Sequence, residues 1–121
     1  MKRKRTYADY LRDMVEYAEK AERFVHGIGL VDFQKDEQKV LAVVRALEVI
    51  GEASRQIPRA LRTRNPDIPW RKITGMRNIV IHEYFGIDTE VIWKTVREDL
   101  PPLRSAVTRM LAALEKKEKD R

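Results

Sequence analysis

The chain has 121 residues, the usual size of one compact domain, so we expect a single domain over residues 1–121. Hydrophobic residues make up 43% of the chain and charged residues 36%, which is typical of amphipathic helices with charged outer faces. The absence of cysteine excludes a disulfide framework, a thiolate zinc site and a cysteine nucleophile. No apolar run approaches the roughly 20 residues of a membrane span, and no signal sequence is evident. We therefore expect a soluble, cytoplasmic protein.

The charge balance favours a polyanionic partner. Lysine and arginine total 25 against 19 aspartate and glutamate, a formal net charge of +6. RNA, DNA or an acidic protein would each fit this charge. Much of the excess lies in a basic N-terminal tail and a charged C-terminal tail, outside a core of about residues 6–115, and both tails can equally be solvated ends.

Apolar residues at three- and four-residue steps predict a first amphipathic helix over residues 6–25, which Gly27 and Gly29 end. A second pattern follows Asp36, a good N-cap residue, and predicts a helix over residues 37–56. Both helices have one apolar face, as packing in a bundle requires.

Prolines divide the next stretch. Between Pro58 and Pro66 there is room for a short helical piece over residues 59–64. Pro69 can occupy the first turn of a third long helix, which we expect to run from Trp70 to residue 85 and to be capped by the glycine that follows.

Asp88 is a second predicted N-cap, here for a fourth segment that carries apolar residues at 91–96. Pro101 and Pro102 should then kink or break the chain before a last helix over residues 103–117. No strand pattern or internal repeat is evident. The sequence therefore predicts an all-α fold, an up-and-down bundle of four to five helices.

The third long helix separates into an apolar and a polar side when it is drawn on a helical wheel. The apolar arc, the natural core face, contains Ile73, Met76, Ile79 and Val80, with Glu83 as an unexplained polar member.

On the polar side of that helix, Arg77 and Tyr84 are seven residues apart and lie at nearly the same angle, so they form one stripe. Asn78 and His82, four residues apart, form the stripe next to it. Ile81 lies between the two stripes, where a branched apolar residue would face water unless something covers it. A second subunit is the simplest cover, so we expect a homodimer with Ile81 in its interface.

These polar residues could cleave an RNA phosphodiester without a metal ion. The 2′-hydroxyl would be the nucleophile, and His82 would move a proton, since histidine is the side chain whose ordinary pKa lies near neutrality. Arg77 would stabilise the charge on the phosphoryl oxygens, and Asn78 could orient His82 or a phosphate. The spacing alone is a weak signal, because short patterns of common residues recur by chance.

The segment Gly75-Met76-Arg77-Asn78-Ile79-Val80-Ile81-His82-Glu83-Tyr84-Phe85 resembles the signature helix of the HEPN superfamily, and more narrowly of its HepT-like branch. The stretches at 45–53, 68–71 and 88–101 are also similar to that branch, so the resemblance covers about residues 7–114.

The resemblance implies a metal-independent endoribonuclease without a cofactor, the toxin of a toxin–antitoxin pair whose active cleft forms between two protomers. Arg77 and His82 match the catalytic pair, and Asn78 matches the supporting polar position. Tyr84 matches the tyrosine to which a partner nucleotidyltransferase antitoxin of the MntA type adds AMP. Negative charge and bulk at that point would block an RNA phosphate. Glu83 departs from the glycine of many relatives and could alter the pKa of His82.

Two other interpretations stay open. The chain could be a noncatalytic helical module whose Arg77, Asn78 and Tyr84 complete a subunit interface or bind a nucleotide on a nucleotidyltransferase partner. It could also be a basic DNA-binding protein, although it lacks an obvious recognition helix after a tight turn. The sequence predicts no metal site, since two histidines and no cysteine offer no convergent ligand set. The RNA that is cut, the number of antitoxins and any higher oligomer remain open.

Overall fold

The computed structural model describes residues 4–82 and 88–119, except for the side chains of residues 77–82 and 118. Within these residues all regular structure is helical, which confirms the all-α prediction. In chain order the elements are α1 (Tyr7–Val25), α2 (Leu30–Lys35), α3 (Glu37–Arg55), α4 (Arg59–Arg64), α5 (Trp70–His82), α6 (Thr89–Lys94), a π-helical segment (Thr95–Asp99) and α7 (Leu100–Lys119).

Helix α1 begins and ends where the sequence predicts. Thr6 and Asp9 form a reciprocal capping box, in which the Thr6 backbone N–H donates to the Asp9 carboxylate at 2.8 Å. At the other end His26 is the C-cap residue, and Gly27 takes a φ of +76° that strongly favours glycine. His26 is exposed at this helix end.

Helix α2 was not predicted. It has only six residues, too few to show a helical period, and Phe33 is its buried residue. Phe33 is fully buried in the core, so this single aromatic side chain fixes α2 against the bundle. Helix α2 packs against α3 and α6.

The predicted caps of α3 and α6 are confirmed. Asp36 accepts a hydrogen bond from the Lys39 backbone N–H at 3.1 Å, and Asp88 accepts one from the Val91 N–H at 3.2 Å. Gln56 is the C-cap residue of α3, and α4 occupies the predicted residues 59–64. The predicted end of the third long helix falls on residues 83–87, which lie outside the described part of the chain.

The sequence predicted a kink or a break at Pro101 and Pro102, and the chain does not break there. The chain stays helical from Thr89 to Lys119, and both prolines lie in the first turn of α7. Just before them, the Leu100 N–H donates to the Thr95 carbonyl, a bond across five residues. Proline disrupts a helix because it lacks an N–H and its ring meets the carbonyl four residues earlier. The wider π turn moves those carbonyls, so the helix continues.

The long helices form one bundle around a shared core. Helix α1 packs against α3 and α7, and α3 packs against α5. The core includes Leu11 and Met14 of α1, Val43 of α3 and Val107 of α7, all fully buried. On the outside of the bundle, Glu22 accepts a hydrogen bond of 2.6 Å from Arg104 Nε, which ties α1 to α7. This carboxylate raises the pKa of Arg104 above its ordinary value.

Both tryptophans are partly buried and pack against this core. The Trp70 indole N–H donates to the Asn65 carbonyl at 3.0 Å, and that of Trp93 donates to the Ile28 carbonyl at 3.3 Å. No helix in the part of the chain that the structure describes is long and apolar enough to cross a membrane.

Candidate active site on helix α5

The N-terminal half of α5 is fixed in the core by two side chains. Ile73 is 1% exposed and Met76 is 2% exposed, as the predicted apolar arc requires. Residues three apart lie on one side of a helix, so these two positions define the direction in which α5 faces the bundle. The other predicted members of the arc, Ile79 and Val80, lie in α5, but their side chains are outside the described set.

A chain of hydroxyl groups ties α5 to α3. The fully buried Ser54 donates through its Oγ to the Gly51 carbonyl at 2.7 Å, and this bond uses its one proton. Thr74 Oγ1 lies 3.0 Å from Ser54 Oγ and therefore acts as the donor to it. Gly51 is itself buried in α3, and a buried glycine inside a helix allows another helix to approach closely.

Two further contacts hold the beginning of α5. The Trp70 indole bonds to the connector at Asn65, and Lys72 Nζ lies 3.0 Å from Asp99 Oδ2 of the π-helical segment. Lys72 is exposed, so this ion pair contributes little to stability, but it links α5 to a third element. The rotation and position of the first two turns of α5 are therefore set by the core, by α3, by the connector and by the π-helical segment.

Four of the predicted site residues lie in the second half of this helix. Arg77, Asn78, Ile81 and His82 are within α5, and their side chains are outside the described set. Tyr84, together with its neighbour Glu83, lies outside the described residues.

Helix geometry gives the azimuth of each of these positions relative to the buried pair Ile73 and Met76. At about 100° per residue, positions 78 and 82 fall almost opposite the core direction. Position 77 follows Thr74 by three residues, the spacing of neighbours on one side of a helix, and so lies toward the α3 side. Positions 77 and 82 differ by about 140° in azimuth.

Glu48 and Glu52 of α3 have nearby basic partners on their own helix. Glu48 Oε1 lies 2.8 Å from Arg45, and Glu52 Oε1 lies 4.0 Å from Arg55. Both glutamates line a shallow groove of about 240 Å³ between α1 and α3, together with Tyr10. Ion pairs of this kind are typical of a solvated helix face.

Sequence reasoning missed the hydroxyl contact between Ser54 and Thr74. Single serine and threonine residues on two separate helices carry no spacing signal, so only the packed structure reveals that they meet. Sequence reasoning also left Arg71 unassigned, although it precedes Asn78 by seven residues and therefore shares its side of α5. Among residues 4–82 and 88–119, no group of three or more histidine, aspartate or glutamate side chains is placed to hold a metal ion.

The sequence is similar to known proteins over most of its length. The family model described as Ribonuclease HepT-like matches residues 14–110. A protein of Thermococcus cleftensis named "Probable ribonuclease HepT" is 48% identical over 84% of this chain and 92% of its own. A Methanocaldococcus jannaschii protein named as a candidate RNase is 42% identical over 86% of this chain and 95% of its own.

A third relative, from Caldanaerobacter subterraneus subsp. tengcongensis, is also named as a candidate RNase and is 40% identical over 92% of this chain and 96% of its own. No solved structure matches the chain. The family match covers more than half of the chain, and these relatives are matched over nearly their whole length. The chain therefore belongs to the HepT-like ribonuclease family of the HEPN superfamily.

Proposed function

We propose that this protein is a metal-independent endoribonuclease whose catalytic residues are Arg77 and His82 of α5. The observation that carries the proposal is the anchoring of α5 by Ile73, Met76 and Thr74, which turns position 82 away from the core of its own subunit. Membership of the HepT-like family and the RNase names of its relatives support RNA as the substrate.

In this proposal the RNA supplies its own nucleophile. The 2′-oxygen attacks the adjacent phosphorus, the bond from phosphorus to the 5′-oxygen breaks, and a 2′,3′-cyclic phosphate forms. His82 moves a proton in this exchange, either from the 2′-hydroxyl or to the leaving 5′-oxygen. Arg77 donates hydrogen bonds to the phosphoryl oxygens as negative charge gathers on them. Asn78 orients His82 or the phosphate.

The pocket is completed by a second subunit. Positions 77 and 82 differ by about 140° around α5, too far apart for one flat face of a single helix to present both. A two-fold axis beside α5 would bring the positions of one protomer next to those of its partner. The branched apolar residue Ile81 lies between the two stripes and fits such an interface.

The cell context of this proposal is a toxin–antitoxin pair. The antitoxin is a nucleotidyltransferase that adds AMP to Tyr84, two residues after His82 in the chain. A phosphate and a nucleotide placed beside the catalytic pair would repel RNA and fill its site. Modification of this tyrosine would thus inhibit the ribonuclease.

Alanine substitution tests the catalytic pair. We expect Arg77→Ala and His82→Ala to lower RNA cleavage by at least ~100-fold each, the usual range for a positioned acid–base group or a charge-stabilising group. His26→Ala and Arg109→Ala are matched controls, because both side chains are exposed and lie away from α5, at the end of α1 and on α7.

Circular dichroism and light scattering would show that each variant is folded and keeps its oligomeric state. If both α5 variants cleave RNA at the rate of the unaltered protein, this pair is not catalytic. A noncatalytic interaction module would then be the better explanation of the polar face of α5.

A further inference from the structure

We propose that the N-terminal half of α5 is an RNA-backbone binding surface, on which Arg71 contacts a phosphate and Gly75 allows the RNA backbone to approach the helix closely. This inference rests on the proposed function, and it assigns the surface that holds RNA beyond the scissile phosphate. Neither residue belongs to the catalytic pair.

The two residues share one stripe of α5 with the proposed site. Positions 71, 75, 78 and 82 follow steps of four, three and four residues, so they fall within about 60° of one another around the helix. This stripe lies opposite the buried Ile73 and Met76. Over the 11 residues from position 71 to position 82 a helix rises ~16 Å, which is room for more than one nucleotide.

Nothing in the part of the chain that the structure describes requires a glycine at position 75. Apart from its own turn of the helix, a Cβ atom added at Gly75 would meet no atom of a described residue within 4 Å, and Gly75 lies inside a regular helix without a positive φ. Glycine inside a helix is less favourable than alanine, because it costs more backbone entropy and buries no side chain. A close approach from outside the subunit would explain the small residue.

The charge around the stripe favours a phosphate group. Arg71 is exposed and makes no ion pair with any residue that the structure describes. Arg59 and Arg64 of the preceding helix α4 are also exposed, and neither makes an ion pair with a residue that the structure describes. The bond from the Trp70 indole to the Asn65 carbonyl brings the end of α4 beside the start of α5.

A second copy of the chain is the less favourable occupant of this part of the stripe. Ile81, the proposed interface residue, lies ten residues or about 15 Å further along α5 than Arg71, so the proposed dimer does not require the partner subunit to cover this end of the stripe. A chain of phosphates would instead neutralise Arg71 and the arginines of α4. RNA is therefore the occupant that the charges favour.

Binding of an uncleavable RNA tests this surface without any need for catalysis. The probe is a fluorescent single-stranded RNA of about a dozen nucleotides whose 2′-hydroxyls are all methylated, so the internal nucleophile is blocked. Fluorescence anisotropy at several salt concentrations measures its affinity for the full-length protein. We compare Arg71→Gln and Gly75→Leu with Arg23→Gln, which removes an exposed charge from α1.

We expect Arg71→Gln to weaken binding about three- to fivefold and to lower the slope of log affinity against log salt by about 0.7, the value for one phosphate contact on a single strand. Gly75→Leu should weaken binding more than about tenfold, because its side chain occupies the space left for the RNA backbone. Arg23→Gln should bind as the unaltered protein does. Thermal melting would show that Gly75→Leu is folded, as the open space around Gly75 leads us to expect.

The inference is overturned if Arg71→Gln and Gly75→Leu bind the probe as tightly as the unaltered protein does. It is also overturned if Gly75→Leu changes the molecular mass in light scattering but not the RNA affinity, since the partner subunit would then be what approaches Gly75. Failure of the proposed function looks different: the unaltered protein would cleave no RNA, while the anisotropy assay would still report binding.

Discussion

The Ser54 hydroxyl should hold α5 in place, so Ser54→Ala should cost both stability and activity. Ser54 is fully buried, donates to the Gly51 carbonyl at 2.7 Å and lies 3.0 Å from Thr74 Oγ1. Thr74 is one turn before Arg77 in the same helix. Alanine at position 54 leaves the Thr74 hydroxyl without its acceptor at the contact between α3 and α5.

Two lost hydrogen bonds, at about 0.5–1.5 kcal/mol each, predict a loss of about 1–3 kcal/mol in the free energy of unfolding. Alanine is the better helix former by up to roughly 0.5 kcal/mol, which offsets part of this loss. The expected net destabilisation is therefore about 1–2 kcal/mol. RNA cleavage should fall by more than the folded fraction does, because the turn that carries Arg77 loses a lateral contact.

Equilibrium unfolding in urea measures the change, with all variants at one protein concentration because self-association adds to stability. The matched control is Thr108→Ala on α7, whose exposed hydroxyl bonds to the Arg104 carbonyl of its own helix at 2.7 Å. The control should change stability by less than about 0.5 kcal/mol. If Ser54→Ala destabilises no more than Thr108→Ala, the hydroxyl chain does not hold α5.

Three further predictions follow from the same helix. Gly75→Ala should raise the free energy of unfolding by about 0.5–1 kcal/mol, since the added methyl group meets open space; a lower melting temperature would contradict this. Ile81→Asp should weaken self-association, and light scattering that shows an unchanged dimer would count against this interface. Co-expression with the antitoxin should add AMP to Tyr84, as peptide mass spectrometry can show; AMP on another residue would remove the regulatory role of Tyr84.

The sequence predicted the long helices well where local signals set their ends. Asp36 and Asp88 are N-caps in the structure as expected, and the backbone at Gly27 turns as a glycine after a helix should. These ends depend on the chemistry of one or two residues and their near neighbours, so they can be read without knowledge of tertiary contacts.

The two errors of the sequence analysis depend on contacts beyond the local pattern. Helix α2 is too short for a hydrophobic period, and the packing of Phe33 in the core is what fixes it. The predicted break at Pro101 and Pro102 overlooked a change of hydrogen-bond pattern one turn earlier, in Thr95–Asp99, which no single residue type signals.

The candidate site could be named from the sequence but not assembled from it. Motif spacing and family resemblance predicted Arg77 and His82 as the catalytic pair, and the burial of Ile73 and Met76 agrees with the predicted rotation of α5. In the proposed dimer the pocket depends on which surfaces of two subunits meet, and a single sequence does not encode that geometry in any local pattern. The contact between Ser54 and Thr74 was missed because two single residues on separate helices give no pattern in the sequence.

The most direct test of the central claim is cleavage of a synthetic RNA in excess EDTA, compared with the same oligonucleotide carrying one 2′-deoxynucleotide on the 5′ side of the scissile phosphate. We predict that the RNA is cut at its normal rate and leaves a 2′,3′-cyclic phosphate, which mass spectrometry identifies. We also predict no cut at the deoxy position. Cleavage at the deoxy position, or loss of all cleavage in EDTA, would contradict metal-independent attack by the 2′-hydroxyl.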